Sequence, residues 1–402
     1  MRGTVRRMGS LKENLQSSLG FFPEHRRRTK RTQKLNLDIL LEDFRLQQTL
    51  DPGALDFILM GYRYGHLFER ELGKFLGKPL EPAELKDLLQ ATFGALLTRD
   101  KTPISALVSE AVNVSREFFG ARTAGISNAF LRNCTRNLEA LKKEVQTSPQ
   151  LLLGKSFSSR WKSEPNLLSR FGSQLAERPE PGISGFSVSG EYSNVILKDN
   201  KVDFSNFQAM DKGSWFFVEY IRECLKGEKV ASLLDACAAP GGKLLALWSL
   251  LTKETRLYAA DSKFPRLEKL RENIARWPLE NKPESALFEW GSNPQIPANW
   301  PQEFDVVLAD LPCSGSGTLH TRPDIIFSDL AERVKNLQKL QEEILLSLRK
   351  LKFRHLFVSI CSVDPEEIAN VGACLDKANP DFSSFKSHEK TLEGITGWHL
   401  LS

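Results

Sequence analysis

The chain has 402 residues, 41% of them hydrophobic, which is enough for two or three domains with real cores and too apolar for wholesale disorder. No apolar run reaches the roughly 18 residues of a membrane span, and the N-terminus lacks the apolar centre of a secretory leader. Six cysteines with no CxxC pair and no His/Cys cluster argue against a disulfide scaffold and against bound metal. A monomeric protein of the reducing cytoplasm, with no membrane partner, is expected.

The formal net charge of +5 is uneven. Through Lys34, ten basic residues, Arg26, Arg27 and Arg28 among them, face only Glu13 and Glu24, a local charge of +8. Residues 1–34 therefore read as a basic arm, either able to neutralise phosphates or simply a solvated tail. Residues 35–145 read as all-helical. Leu35, Leu37, Ile39, Leu40 and Leu41 open an apolar-periodic region, and Leu88, Leu89, Phe93, Leu96 and Leu97 share one helical face. Pro82 and Pro103 look like helix-start prolines. From residue 146 to 205 the chain turns Ser/Pro/Gly-rich, and it reads as a linker or a small irregular subdomain.

Residues 206–402 follow a different pattern. Short apolar strands are predicted at Ala231–Asp235, Leu257–Asp261, Ala286–Trp290, Val306–Asp310 and Leu356–Ile360, alternating with helices near Lys243–Leu251, Pro265–Trp277 and Ser328–Leu351. In the last helix, Leu330, Val334, Leu337, Leu340, Ile344, Leu345 and Leu348 form one stripe. Strand–helix alternation implies an α/β fold with a parallel, Rossmann-like sheet, whose ligands bind beyond the carboxyl ends of the strands.

Three segments at those strand ends carry chemistry. Asp235-Ala236-Cys237-Ala238-Ala239-Pro240-Gly241-Gly242-Lys243 joins a strand to a helix through small residues, so a ligand can approach the backbone and the free N–H groups of the helix start. It is neither GxGxxG nor a Walker A loop, and an ordinary tight turn is the bland alternative. Asp261 ends the next strand, placed either to bind ribose hydroxyls or to cap the following helix. Cys313 and Cys361 then follow two further strands. A single cysteine there is usually a buried small residue, but two at the active edge of one sheet suit covalent catalysis.

The segments CAAPGGK at 237–243, DLPCSGSG at 310–317 with Arg322-Pro323-Asp324-Ile325, and Cys361-Ser362-Val363-Asp364-Pro365-Glu366-Glu367 resemble, in order, motifs of the RsmB/Sun and NOL1/NOP2 RNA cytosine-5 methyltransferases. The segment from Gly120 to Asn133 also resembles the final helices of a NusB-like domain. The resemblance implies an S-adenosylmethionine-dependent methyltransferase domain preceded by a NusB-like RNA-binding domain, acting on RNA, with 16S ribosomal RNA as the expected substrate. Cys237, Ala238, Ala239, Pro240, Gly241, Gly242 and Lys243 would line the cofactor, with Asp261 on its ribose. Asp310 would stand between cofactor and base. Cys361 would attack carbon 6 of the cytosine and so activate carbon 5, and Cys313 would assist elimination. The sequence departs from the family at Ser292, where an acid usually contacts the adenine, at Ile326, where a lysine is frequent, and at Trp215.

Other readings stay open at this stage. They are a tRNA substrate, a catalytically weak ribosome-assembly factor that kept the fold, a DNA cytosine methyltransferase, and a NusB-like transcription factor. The DNA enzymes use a Pro-Cys-Gln nucleophile, whereas Pro312-Cys313 precedes Ser314 here, and the transcription-factor reading accounts only for the helical third.

Overall fold

The computed structural model of the chain describes residues 11–13, 15–16, 52–177, 183–195, 205–291, 296–376, 383–386 and 394–401. Most of the basic arm, the Leu35–Leu41 region and Ser292 lie outside them. Within the arm, Lys12 makes an exposed 2.8 Å ion pair with Glu117. The chain divides into two compact units: Met1–Pro179 with Leu319–Ser328, and Glu180–Thr318 with Asp329–Ser402.

The first unit is helical. Its helices are α1 (Pro52–Arg63), α2 (Gly65–Phe75), α3 (Ala83–Thr98), α4 (Ile104–Phe119), α5 (Ala121–Arg136) and α6 (Leu138–Thr147). Pro82 and Pro103 occupy the N-cap positions of α3 and α4, where a missing N–H costs nothing. The sequence predicts one apolar face for α3, but Leu85 and every residue from Asp87 to Leu97 are buried. Such a helix belongs at the centre of a core rather than at its edge. Gly94 allows this, because a Cβ there would overlap the Met60 carbonyl of α1.

Helical structure continues past α6, through turns at Pro149–Leu152 and Lys155–Ser158, to α7 (Pro165–Ala176). Composition there suggests a linker or a small irregular subdomain, and a few large apolar residues are spaced to pack. Phe157 stacks on Trp161 at 4.6 Å, and Phe171 meets Trp161 edge-on at 5.3 Å. Arg63, fully buried, donates to the carbonyls of Gln174 (3.0 Å), Leu175 (3.1 Å) and Glu177 (3.0 Å), and to that of His320. One guanidinium thus ties the end of α7 to the 319–328 segment of the same unit. Burial pulls its pKa down to about 10.

The second unit contains two sheets. A small antiparallel one has the order β2-β1-β3, with β1 Ile183–Ser187, β2 Tyr192–Val195 and β3 Phe207–Ala209. The large one has the order β6-β5-β4-β7-β8-β10-β9. Its strands are β4 (Ser232–Asp235), β5 (Arg256–Asp261), β6 (Glu284–Leu287), β7 (Glu303–Asp310), β8 (Lys352–Ile360), β9 (Ser383–Lys386) and β10 (Thr396–Leu401). The pairs among β6, β5, β4, β7 and β8 are parallel, whereas β10 runs antiparallel to β8 and β9. Sequential order reverses between β4 and β7, which opens a crevice at their carboxyl ends.

Alternate residues of one strand fill opposite cores. Leu233, Leu257, Leu308 and Phe357 lie in one, and Leu234, Tyr258, Val307 and Val358 in the other. The helices of this unit are α8 (Lys212–Cys224), α9 (Gly242–Leu250), α10 (Phe264–Arg276), α11 (Leu330–Leu348) and α12 (Pro365–Asp376). Two expectations shift. The third strand of the pattern is Glu284–Leu287, not Ala286–Trp290. Trp290 is buried beyond it, and its indole donates to the Ala236 carbonyl at 2.6 Å. In α11 the stripe breaks at Leu340, which is 38% exposed, while Gln341 beside it is buried.

Candidate active site

The turn after β4 is held largely through its backbone. Ala236 N–H bonds to the Leu308 carbonyl (2.7 Å) and Ala238 N–H to the Ala260 carbonyl (2.9 Å). Ala239 N–H donates to Asp261 Oδ2 at 3.2 Å. From α10, Asn273 Nδ2 donates to the Pro240 carbonyl at 2.8 Å and Arg266 to that of Ala239. Gly241, at φ 108° and ψ 4°, caps α9 in the left-handed region, and a Cβ there would also stand 2.7 Å from Leu270 Cδ1. Asp261 Oδ1 accepts from Lys263 N–H at 3.0 Å, and Arg266 lies 3.4 Å from Oδ2. The carboxylate therefore joins the turn to the start of α10.

Three carboxylates gather at the ends of β4, β5 and β7. Burial, then the charge of Asp310, pushes Asp235 up to about 7, although the Cys237 N–H and Lys243 oppose this. Lys243 is buried, and its Nζ bonds to Asp310 Oδ2 at 2.7 Å and to Ser214 Oγ at 3.4 Å. Burial works against the ammonium, but the charges of Asp310, Cys361 and Asp211 outweigh it, so its pKa is raised. Ser359 Oγ donates to Asp310 Oδ1 at 2.6 Å. Behind Lys243, Asp211 caps α8 by accepting from Ser214 N–H (2.7 Å) and Ser214 Oγ (2.6 Å).

Beyond this pair lie the two cysteines. Cys313 Sγ donates to Cys361 Sγ at 3.6 Å. Its thiol is pushed well above the ordinary range, first by that bond and by burial, then by the charges of Cys361, Glu367 and Asp310. The loops that carry the two cysteines are joined. Gly317 N–H bonds to the Cys361 carbonyl (3.2 Å), Val363 N–H to Ser316 Oγ (3.0 Å), and the Ser316 and Ser362 hydroxyls lie 2.9 Å apart. The Gly394 N–H bonds to the Gly317 carbonyl at 2.8 Å.

The structure thus brings together the 237–243 turn, Asp261, Asp310, Cys313 and Cys361 at one sheet edge. Lys243 points away from the turn's backbone and towards Asp310. Arg322 and Asp324 pair at 2.9 Å and are both buried, within the 319–328 segment that groups with the helical unit. Sequence reasoning missed Asp235, Ser214, Gln341 and Glu367. Asp235 and Glu367 lay within motifs but had no role assigned, and the contacts of Glu367 span 26 and 53 residues.

Residues 223–396 match the family model described as 16S rRNA methyltransferase RsmB/F, and residues 27–136 match that of the NusB family. The chain thus carries an RsmB/F-type methyltransferase domain and a NusB-type domain. A ribosomal RNA small subunit methyltransferase B from Vibrio cholerae is 27% identical over 73% of this chain and 73% of its own length. Its counterpart from Citrobacter koseri is 28% identical over 74% and 75%. A solved protein designated PH0851 covers 99% of this chain and 100% of its own at TM-score 0.67 and 16% identity, a likeness of fold alone. The RsmB/F match includes both cysteines and the 237–243 turn, and the chain is an RNA methyltransferase.

Proposed function

We propose that this RsmB/F protein methylates carbon 5 of a cytosine in small-subunit ribosomal RNA, with S-adenosylmethionine as donor. The observation that carries the reading is the Cys313–Cys361 pair beside the ion pair of buried Lys243 with half-buried Asp310. The residues fit the donor. Cys237, Ala238, Ala239, Pro240, Gly241 and Gly242 keep side chains small along a helix start, and Asp261 and Asp310 offer negative charge and acceptor oxygens to a cationic, hydroxyl-bearing ligand. When bound, S-adenosylmethionine supplies an electrophilic methyl group.

Cys361 adds as its thiolate to carbon 6 of a base taken out of its stack. Electron density then moves to carbon 5. Asp310, held by Lys243 and Ser359, is placed to meet the edge of the base. Before this step Cys313 keeps its proton, because it donates to Cys361 and faces that thiolate's charge. Both influences vanish once Cys361 is bonded to carbon 6. Cys313 then gives its proton to solvent, and its thiolate removes the carbon 5 proton while the Cys361–carbon 6 bond breaks, which restores aromaticity and frees the enzyme. The helical unit and the basic arm supply RNA contact.

Purified protein with labelled methyl donor and a small-subunit rRNA transcript should yield 5-methylcytosine. Bisulfite sequencing of RNA from a deletion strain should lose one protected cytosine. Unchanged protection across the rRNA would refute the substrate.

A further inference from the structure

Glu367 sits in the first turn of α12 and is fully buried. A buried carboxylate is costly unless donors surround it. Here four hydrogen bonds do so. Oε1 accepts from Ser314 N–H (2.9 Å) and from Gln341 Nε2 (3.0 Å), and Oε2 accepts from Ser314 Oγ (2.6 Å) and again from Ser314 N–H (3.3 Å). The second N–H of Gln341 goes to the Pro312 carbonyl at 2.9 Å. Pro312 and Ser314 are the residues on either side of Cys313. The Glu367–Gln341 pair therefore grips the backbone immediately before and immediately after that cysteine.

The other end of the grip is anchored on the Cys361 loop. Asp364 Oδ1 accepts from Glu366 N–H and Glu367 N–H, each at 3.1 Å, and so starts α12 three residues after Cys361. A helix-start acid is commonly no more than a favourable partner of the helix dipole. Glu366, exposed in the same turn, is in that position. Glu367 is turned inward instead, and its partners bracket one residue.

We infer that Glu367 and Gln341 are positioning residues for Cys313, holding its thiol against Cys361 so that elimination follows methyl transfer. The inference rests on the cytosine-5 reading above. The negative charge of Glu367 also acts on Cys313, helping it hold its proton while Cys361 is the thiolate. Looser positioning should slow release more than attack, because Cys361 follows directly on β8 whereas Cys313 stands three residues beyond the end of β7.

The test uses the full chain, labelled rRNA transcript and S-adenosylmethionine, with the products resolved on a denaturing gel. Glu367→Gln should raise the steady-state protein–RNA band roughly tenfold over wild type, since a displacement of about an ångström is enough for such an effect. Gln341→Met keeps the side-chain length and the charge of Glu367 but loses the bonds to the Pro312 carbonyl and to Glu367 Oε1, so it should raise the band by a smaller factor while keeping the wild-type melting temperature within a few degrees. Calorimetric binding of S-adenosylmethionine should be unchanged in both. A purely structural role would lower melting temperature and methylation together with no added band, and that result overturns the inference. Cys313→Ala is the control that separates the two ideas. If it traps the band and neither grip variant does, the inference is wrong and the reading stands; if it traps nothing, both fall.

Discussion

The turn after β4 and the loops after β7 and β8 sit at the same edge of one sheet, but they are built differently. The turn is held by main-chain bonds and by side chains reaching its carbonyls, and its residues are small. The cysteine loops have main-chain ties too, but add bonds from side chain to side chain among Ser314, Ser316, Ser362, Gln341 and Glu367. A ligand that must lie along backbone needs small residues and free N–H groups, and many sequences supply those. On the proposed mechanism two sulfur atoms act in succession on one ring, so their relative position has to be fixed, and only particular side chains do that. The first region should therefore govern affinity and the second the order of chemical steps.

Exchanging the cysteines is the strongest way to break that division. Cys361→Ala should lower methylation by roughly a thousandfold or more, with S-adenosylmethionine binding intact by calorimetry and no protein–RNA band on a denaturing gel. Cys313→Ala should also stop turnover, but with a slow-migrating band, and the double variant should give none. A band in Cys361→Ala would mean the roles are reversed.

On the other side, Gly241→Val places a branched side chain in a left-handed conformation and against Leu270. It should weaken S-adenosylmethionine binding by roughly tenfold or more, and the distinct gel behaviour of the two cysteine variants should persist in its background at saturating donor. Loss of that distinction would mean the two regions are not separable.

Removal of residues 1–34 touches neither region. RNA affinity should fall several-fold at low salt, and the slope of log affinity against log salt should flatten by about 0.7 to 0.9 for each phosphate that the arm no longer neutralises. An identical slope would make the arm a bystander.

The smallest effect concerns Asp235. Its folded-state value of about 7 lies above the ordinary carboxylate value of 3.8, so the folded chain binds this proton more tightly. The ionised carboxylate then costs stability above about pH 7, and the cost fades as pH falls towards 3.8. Asp235→Asn can still accept from the Cys237 N–H and should melt a few degrees above wild type at pH 8, with the gap closing towards pH 4. A gap independent of pH would show that packing, not ionisation, is responsible.

The sheet was legible because its strands alternate between two cores and end in Asp235, Asp261 and Asp310, which local pattern records directly. The cysteines were legible from the motifs around them. What was not legible depends on contacts across long sequence separations. Leu340 and Gln341 are adjacent on α11, and periodicity favours the leucine for the core. The glutamine is buried because Pro312 and Glu367 are there to meet it. Likewise nothing local says that residues 319–328, inside the methyltransferase half of the sequence, group with the helices. That follows from Arg63 donating to the His320 carbonyl and from Phe327 stacking on His66 at 4.4 Å.

Gly317 bears no functional group, yet a methyl at its α-carbon would fall within the Gly394 carbonyl. In a scan of all single substitutions, position 317 should therefore score as intolerant as the cysteines, alanine included, although it takes part in no bond-making step. Enzymes read by such scans yield one list in which chemistry and clearance look alike. A donor-binding assay on the failing variants would sort them, since a crowded loop and a missing sulfur fail at different points of the cycle.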